Sequence, residues 1–340
     1  MKLKYLKIIF FMLSLFGIFA FARNYFTPIY LDVPKGWPKP HYDFSKNPLT
    51  EEGFQLGRVL FYDVILSKDN TISCSSCHLQ QTGFTHVDHE LSHGIDGKIG
   101  TRNSLSLQNL AWSKNFMWDG GVNHLDMQAI GPITSEIEMN ETLENVVSKL
   151  QKQEKYETLF LKAFGTKKVS GQLTLKALSQ FVVSLTSSNS KYDKVTRNEE
   201  QFTEMEQKGY DSFKQNCAAC HKEPLFASAK FENNGLLIDS TLNDFGRMKI
   251  TQNNADYLKF KVPTLRNVQF TFPYMHDGRF KTLNEVVKHY NSLIVDKNLP
   301  KELSKPMKLS DDDRTDLVAF LKTLTDREFL SNPRFSYPQE

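Results

Sequence analysis

The feature that most constrains this 340-residue chain is the pattern C-x-x-C-H, which occurs at 74–78 and again at 217–221. It is the attachment signature of a c-type haem, because the two thiols bind the porphyrin and the histidine that follows can bind its iron. A zinc ribbon would need its cysteine pairs about 15–20 residues apart, and here 140 residues separate Cys77 from Cys217. Two haem c groups are therefore predicted, attached at Cys74, Cys77, Cys217 and Cys220, with His78 and His221 as iron ligands.

The composition narrows the class of protein further. All four cysteines lie in the two patterns, so none remains for a structural disulfide. A chain that is 40% hydrophobic and 24% charged is typical of a soluble globular protein, and its length leaves room for two domains. The net charge of +3 and the lack of a long basic run argue against nucleic acid as a partner.

Residues 1–22 are typical of an export signal. Three lysines precede an apolar run at 8–22, which ends in A-F-A, a small-residue cleavage pattern. The run is short for a membrane span, which needs about 20 residues, but apolar residues continue beyond it. The sequence therefore leaves both a cleaved signal and an N-terminal inner-membrane anchor open. Either one predicts a periplasmic protein, since attachment of haem to cysteines requires export.

Hydrophobic residues recur at helical rather than strand spacing. Thr50 is expected to cap the first helix and Asn140 a helix of about 24 residues, and further helices are predicted at 175–185 and from Ser310 to Leu324. Residues 83–125 show little periodicity and are interpreted as long functional loops. No stretch alternates as a sheet would, so the predicted fold class is all-α.

An internal repeat predicts how the chain is divided. L-S-Q-F-V-V-S-L-T at 178–186 matches L-V-A-F-L-K-T-L-T at 317–325, and each follows a haem pattern at a similar distance. Each unit then consists of a leading helix, a haem pattern, an insertion and a closing helix, which is the plan of a cytochrome c domain. With the polar stretch 187–201 as linker, we predict an N-terminal haem domain at 23–190 and a C-terminal haem domain at 191–340.

Beyond the two haem patterns, the chain resembles the bacterial di-haem cytochrome c peroxidase family, which includes MauG-like members. The resemblance covers about residues 50–325. It rests on L-F-Y-D-V-I-L-S at 60–67, R-N at 102–103, F-M-W-D-G at 116–120, V-P-T-L-R-N-V at 262–268 and Y-M-H-D-G at 274–278.

The resemblance implies a peroxidase that reduces hydrogen peroxide to water. Its N-terminal haem would be the peroxide site, and its C-terminal haem would receive and store electrons from a small redox protein, a cytochrome c or a cupredoxin. A homodimer is one oligomeric state left open.

The resemblance also assigns roles around the first haem. Trp118 corresponds to the tryptophan that lies between the two haems in this family, and Gln128 and Glu138 correspond to distal-pocket residues, with Pro132 between them. A carboxylate near the open iron face could take a proton from the inner oxygen of peroxide and return it to the leaving oxygen. Without the resemblance, Glu136 would compete with Glu138 for this role.

Three histidines, His86, His89 and His93, follow the first haem pattern. Members of the family that need reductive activation use a histidine here as a removable sixth iron ligand, whereas MauG-like members lack it. His93, which is followed by Gly94, is the candidate for this ligand. The sequence alone leaves both cases open.

Tyr290 is the candidate for the sixth ligand of the second haem. Thr282 and Glu285 form a capping-box pattern that opens a short helix, on which Tyr290 is predicted to point inward. The position matches the axial Met of some family members and the axial Tyr of MauG. Axial ligands shift haem potentials across about 0.8 V, and a phenolate favours the higher oxidation states. Met275 and His276 are nearby rivals.

A calcium ion is suggested by the resemblance alone. Asn103, Thr271 and Pro273 match the positions that bind Ca²⁺ between the haems in this family. Amide and carbonyl oxygens suit this ion, but none of the three residues carries a carboxylate.

Two rival functions stay open beside the peroxidase. One is a MauG-like di-haem oxidase that modifies a protein side chain, which Tyr290 favours. The other is a non-catalytic di-haem electron-transfer cytochrome with both irons six-coordinate. Glu138 and Gln128 argue against the second rival, since a pure electron carrier needs no group that handles protons.

Overall fold

The structure is a computed structural model that describes residues 26–295 and 298–338. The export signal or anchor predicted at 1–22 lies outside these residues. Within the described ranges, no helix is both long enough and apolar enough to cross a membrane.

Helices joined by long loops make up the fold, and the only strands in the described ranges are two residues long. Strands β1 and β2 pair in antiparallel fashion, with Phe231 opposite Lys261 and Glu232 opposite Phe260. The all-α prediction is confirmed. The elements are α1 Glu51–Tyr62, α2 Cys74–Cys77, α3 Leu125–Gln128, α4 Ile130–Thr134, α5 Leu143–Gln151, α6 Glu154–Phe164, α7 Gly171–Val183, α8 Lys191–Thr196, α9 Glu204–Asn216, β1 Phe231–Glu232, α10 Met248–Thr251, β2 Phe260–Lys261, α11 Leu283–Asn291, α12 Asp311–Lys322 and α13 Arg327–Leu330, with 3₁₀ turns at Val64–Leu66, Gln80–Thr82, Ile95–Gly97, Leu110–Trp112, Asn254–Asp256, Lys301–Leu303 and Pro333–Phe335.

The internal repeat corresponds to one pair of packed helices that is formed twice. Helix α1 packs against α7 in the first unit, and α9 packs against α12 in the second. A glycine sits at each crossing. A Cβ at Gly57 would overlap the carbonyl oxygen of Ala177, and one at Gly209 would overlap that of Asp316. Glycine therefore lets both pairs of backbones approach more closely than any other residue would allow.

Two hydrophobic cores surround these helix pairs. Phe181 and Phe320 occupy equivalent places in the repeat, and both are fully buried. Phe181 packs among Phe54, Phe61 and Phe84 in the first core, and Phe320 packs in the second. The segment around 329–335 returns to the first core. The boundary between 190 and 191 stays a prediction.

The predicted helix of about 24 residues after Asn140 is wrong. The structure contains two helices there, α5 and α6, interrupted at Lys152 and Gln153. Thr142 caps α5, because its hydroxyl accepts a hydrogen bond from the Asn145 N–H. Asn140 has a left-handed backbone with φ 50°, which differs from the extended conformation of an N-cap residue.

The first part of the polar stretch 187–201, up to residue 195, is buried or half-buried in the fold, whereas residues 196–201 are exposed. Ser190 caps α8 with a capping box, and Asp193 on that helix is buried. The guanidinium of Arg266 donates two hydrogen bonds to Asp193, at 2.8 and 2.7 Å. Asp193 and Arg266 satisfy each other's hydrogen-bonding groups inside the protein. The polar composition of the stretch therefore did not show that part of it is buried.

Candidate functional site

One internal cavity of about 680 Å³ connects the two C-x-x-C-H patterns. Both patterns open onto it, so two groups attached to them would occupy one compartment. The walls near the patterns are formed by Cys77, His78, Cys217, Cys220 and His221.

Backbone carbonyl groups orient both of the pattern histidines. The Nδ1 atom of His78 lies 2.7 Å from the Phe84 carbonyl oxygen. The Nδ1 atom of His221 lies 3.1 Å from the carbonyl oxygen of Pro263 and 3.3 Å from that of Phe226. A ring that donates from Nδ1 to a carbonyl keeps its Nε2 free as a metal ligand.

The charge state of these groups also suits haem attachment. Burial lowers the pKa of His78 and lowers that of His221 to about 4, so both imidazoles are neutral bases near pH 7. Burial raises the pKa of Cys77 to about 11, and the cysteines of both patterns form no disulfide. Two free thiols beside a neutral, oriented imidazole in an apolar cavity fit a covalently attached haem c.

A smaller chamber lies next to the first pattern and brings the predicted distal residues together. Glu138 borders it, and burial raises the pKa of this carboxyl, an effect that a hydrogen bond from Ser135 partly opposes. Glu136, the rival on sequence, is exposed and borders neither cavity. Residues on the chamber wall include Cys74, Cys77, His78, His93, Gln128, Pro132 and Glu138.

The three histidines after the first pattern form a stack. The ring centroids of His86 and His89 are 4.2 Å apart, and those of His89 and His93 are 4.0 Å apart. His86, at one end of the stack, is buried, and this burial lowers its pKa to about 4. His93 is the exposed end, and of the three it alone borders the chamber. The geometry therefore favours His93 over the other two as a group that could reach the first haem.

The loop of His93 is fastened to the loop of Glu138. The Ile95 N–H donates a hydrogen bond to the Glu138 carbonyl oxygen at 2.8 Å. A Cβ at Gly94 would overlap the backbone of Ile137 and Glu138, so only glycine fits here. The two candidates on the distal side are thus held next to each other by their backbones.

Trp118 borders the cavity and is only 8% exposed. Its indole N–H donates to the Asn103 carbonyl oxygen at 2.9 Å. Its own carbonyl oxygen accepts a hydrogen bond from the Lys261 N–H at 2.7 Å. The tryptophan is therefore bonded to the first haem region on one side and to β2 of the second unit on the other.

Tyr290 borders the cavity beside the second pattern. Helix α11, which carries it, begins with the predicted capping box of Thr282 and Glu285. Burial raises the pKa of Tyr290, and the nearby thiols of Cys217 and Cys220 add to that effect.

The two rivals of Tyr290, Met275 and His276, border the same cavity. The sulfur of Met275 accepts a hydrogen bond from the Asn234 amide at 3.4 Å. The ring of His276 stacks on Phe260 with a centroid distance of 3.8 Å.

The three residues predicted to bind calcium all border the cavity. The amide nitrogen of Asn103 lies 2.6 Å from the Pro273 carbonyl oxygen. Its Oδ1 is buried and has no hydrogen-bond partner among the described residues. A buried amide oxygen without a partner, close to a second carbonyl oxygen, is a donor set that fits Ca²⁺.

Two charged groups in this region were not predicted as site residues. Arg102 donates to Asp119 at 2.6 Å and to Asp244 at 2.6 and 2.9 Å, which links the two halves of the chain. Lys261 borders the cavity itself. Arg102 lies in the string R-N and Lys261 directly precedes V-P-T-L-R-N-V, two of the strings that carry the resemblance, and this was the available sequence signal.

Comparison with known proteins agrees with this geometry. Residues 51–201 match the sequence model of a family described as di-haem cytochrome c peroxidase, and residues 206–325 match that described as cytochrome c. The chain is 34% identical over 286 residues to the methylamine utilization protein MauG of Methylophilus methylotrophus, covering 82% of this chain and 84% of the relative.

Two further similarities extend over most of the chain. It is 34% identical over 276 residues to the cytochrome c551 peroxidase of Nitrosomonas europaea, covering 80% of this chain and 79% of that protein. The crystal structure of a MauG-like protein associated with microbial copper homeostasis superimposes with a TM-score of 0.84 at 33% identity, covering 91% of this chain and 99% of the other.

Proposed function

The chain belongs to the di-haem cytochrome c peroxidase family, and from this premise we propose that it reduces hydrogen peroxide to water with electrons from a small redox protein. Each of its two cytochrome c-type domains carries one haem c. One observation carries the proposal: a half-buried carboxylate, Glu138, borders the chamber beside His78 together with Gln128. A protein that only carries electrons needs no group that handles protons there.

The residues of the chamber have different roles in the proposed reaction. When bound at His78, the haem supplies an iron centre that binds peroxide and exchanges electrons. The Phe84 carbonyl keeps His78 oriented for the iron. The carboxylate of Glu138 takes the proton from the inner peroxide oxygen and returns it to the leaving oxygen, and Gln128 orients the substrate through its amide. With two electrons and two further protons, each peroxide yields two waters.

Steady-state turnover tests the proposed function. Purified protein carrying both haems is mixed with peroxide and a reduced cytochrome c or cupredoxin. We expect two donor molecules to be oxidised for each peroxide consumed. Absence of peroxide-dependent donor oxidation with both classes of donor would contradict the proposal.

We propose that Trp118 conducts electrons between the two haems, which its bonds to both halves of the molecule support. Trp118→Phe is expected to slow interhaem transfer about tenfold or more, which corresponds to a barrier higher by about 1.4 kcal/mol. Stopped-flow reduction of peroxide-oxidised protein measures the rate. Trp112→Phe is the matched control, because Trp112 is buried on the same cavity but bonds to Pro38. Equal rates in parent and Trp118→Phe would leave Trp118 with a packing role.

We propose that Asn103, Thr271 and Pro273 bind one Ca²⁺, which the unpartnered Oδ1 of Asn103 supports. Purified protein is expected to contain about one calcium per chain by elemental analysis. A chelator should lower turnover, and added Ca²⁺ should restore it. Asn103→Ala should lack both the metal and the response to the chelator. Calcium-free parent protein with full turnover would contradict this site.

We also propose that the chain works in the periplasm, since haem attachment at two cysteine pairs requires export. The run at 8–22 supplies the signal or the anchor that export needs.

A second candidate function, oxidation of a side chain in a partner protein, is favoured by one observation. Tyr290 borders the cavity that the second haem pattern also lines, and the resemblance matches its position to the axial Tyr of MauG. We propose that Tyr290 is the sixth ligand of the second haem, and its substitution separates the two candidates.

A further inference from the structure

Lys261 is a lysine on the wall of the cavity that both haem patterns line, and it forms no ion pair with a described carboxylate. Burial lowers its pKa to about 8, and no described carboxylate opposes this effect. Its neighbours in the cavity wall include His221 of the second pattern, whose own pKa the charge of Lys261 helps to lower. An ammonium group near a motif histidine, without a counter-ion, is costly unless an anion joins it.

The strand that carries Lys261 directs it away from the nearest carboxylate on the paired strand. Successive side chains of a strand point to opposite faces. Phe260 packs on His276, so Lys261 lies on the other face of β2. In register, Lys261 is opposite Phe231, whereas Glu232 is opposite Phe260. Glu232 therefore shares the face of Phe260 and is not the partner of Lys261.

The position of Lys261 is fixed by its backbone. Its N–H donates to the Trp118 carbonyl oxygen at 2.7 Å. The N–H of the next residue, Val262, donates to the Lys230 carbonyl oxygen at 3.1 Å. The backbone that carries this side chain is therefore held to the segments of Trp118 and Lys230 at the cavity wall. A haem attached at the second pattern carries two propionate carboxylates, and one of these would supply the anion that the described residues do not provide.

We propose that Lys261 binds a carboxylate of the haem attached at Cys217 and Cys220. Lys261 is then a positioning residue, which orients that haem and holds a positive charge beside it. A nearby positive charge favours the reduced haem over the oxidised haem, which carries one more positive charge. Lys261 thus raises the potential of the haem that stores electrons, a role beyond the peroxidase reaction itself.

Potentiometric titration of the second haem, followed by its visible spectrum, tests this role. In Lys261→Met and Lys261→Gln, the ratio of oxidised to reduced haem at a fixed potential should rise about tenfold, which is about 59 mV for a one-electron couple. Lys261→Arg keeps the charge and should stay close to the parent. Lys249→Met is the matched control, because Lys249 borders the same cavity but is exposed.

Haem content and potential are measured without turnover, so this test is independent of the proposed function. If both neutral variants titrate like the parent and the control, the proposal is wrong. If both lose the second haem while Lys261→Arg retains it, the requirement for charge is supported. Loss of haem in all three variants would instead assign Lys261 a packing role.

A free anion from solution, such as phosphate, is the alternative to the haem carboxylate as the group that binds Lys261. The parent is therefore titrated in phosphate and in a phosphate-free buffer of equal ionic strength. We expect one potential in both buffers. A potential that moves with phosphate would show that a solvent anion, and not the haem carboxylate, binds Lys261.

Discussion

Glu138→Gln is expected to lower peroxide turnover by a factor of about 10²–10⁴, the usual contribution of a general acid–base group. The substitution keeps the size of the side chain but removes its ability to accept a proton. Both haems should stay attached, because Glu138 borders the chamber but contributes no attachment atom. Steady-state kcat/KM, normalised to haem content, is the measurement.

Glu136→Gln is the matched control, since Glu136 is two residues away but exposed. It should turn over like the parent. Burial raises the pKa of Glu138, so the parent should lose kcat/KM as the pH falls through a value above that of an ordinary glutamate. The kcat/KM of Glu138→Gln should not show this decrease at low pH. Turnover of that variant within a factor of about three of the parent would remove Glu138 from the mechanism, given the usual size of such effects.

Tyr290→Met is expected to raise the potential of the second haem by on the order of 0.1 V or more, because axial ligands span about 0.8 V. A phenolate stabilises the oxidised iron, whereas a thioether stabilises the reduced iron. The parent should then react with peroxide without prior reduction, and the Met variant should require reductive activation. Potentiometric titration and peroxide reactivity of oxidised and half-reduced protein measure both effects.

Tyr290→Phe shows whether the phenol oxygen is a ligand at all. Its oxidised spectrum should differ from that of the parent, which itself should lack the band typical of Met ligation. Tyr274→Phe is the control, since Tyr274 borders the same cavity but donates its hydroxyl to the Val268 carbonyl at 2.9 Å. If the parent and Tyr290→Phe have the same spectrum, Met275 or His276 becomes the ligand candidate, and the oxidase candidate loses its support.

Features that depend on a few neighbouring residues could be predicted from the sequence. The haem patterns are local covalent chemistry, and the caps at Thr50 and Ser310 are local hydrogen bonds that the structure contains. Tyr290 lies on the cavity wall because helical periodicity and the capping box fix the face of a short helix.

Features that depend on distant partners were missed. Asp193 seemed part of a linker because its partner, Arg266, is 73 residues away in the chain. The exposure of Lys261 to the cavity was missed for the same reason, since residues far apart in the chain form that cavity. At the candidate site, the resemblance to the family, and not periodicity, selected Gln128 and Glu138. Burial then separated Glu138 from Glu136, which the local sequence E-I-E could not do.

In the proposed peroxidase, the two haems of one chain together supply the two electrons that peroxide reduction needs. Fully reduced protein, without donor and without oxygen, is mixed with one equivalent of peroxide per chain, and the spectra of both haems are followed. We predict that one peroxide oxidises both haems and is fully consumed, with two waters formed. Oxidation of only one haem, or a requirement for two peroxides per chain, would contradict this account.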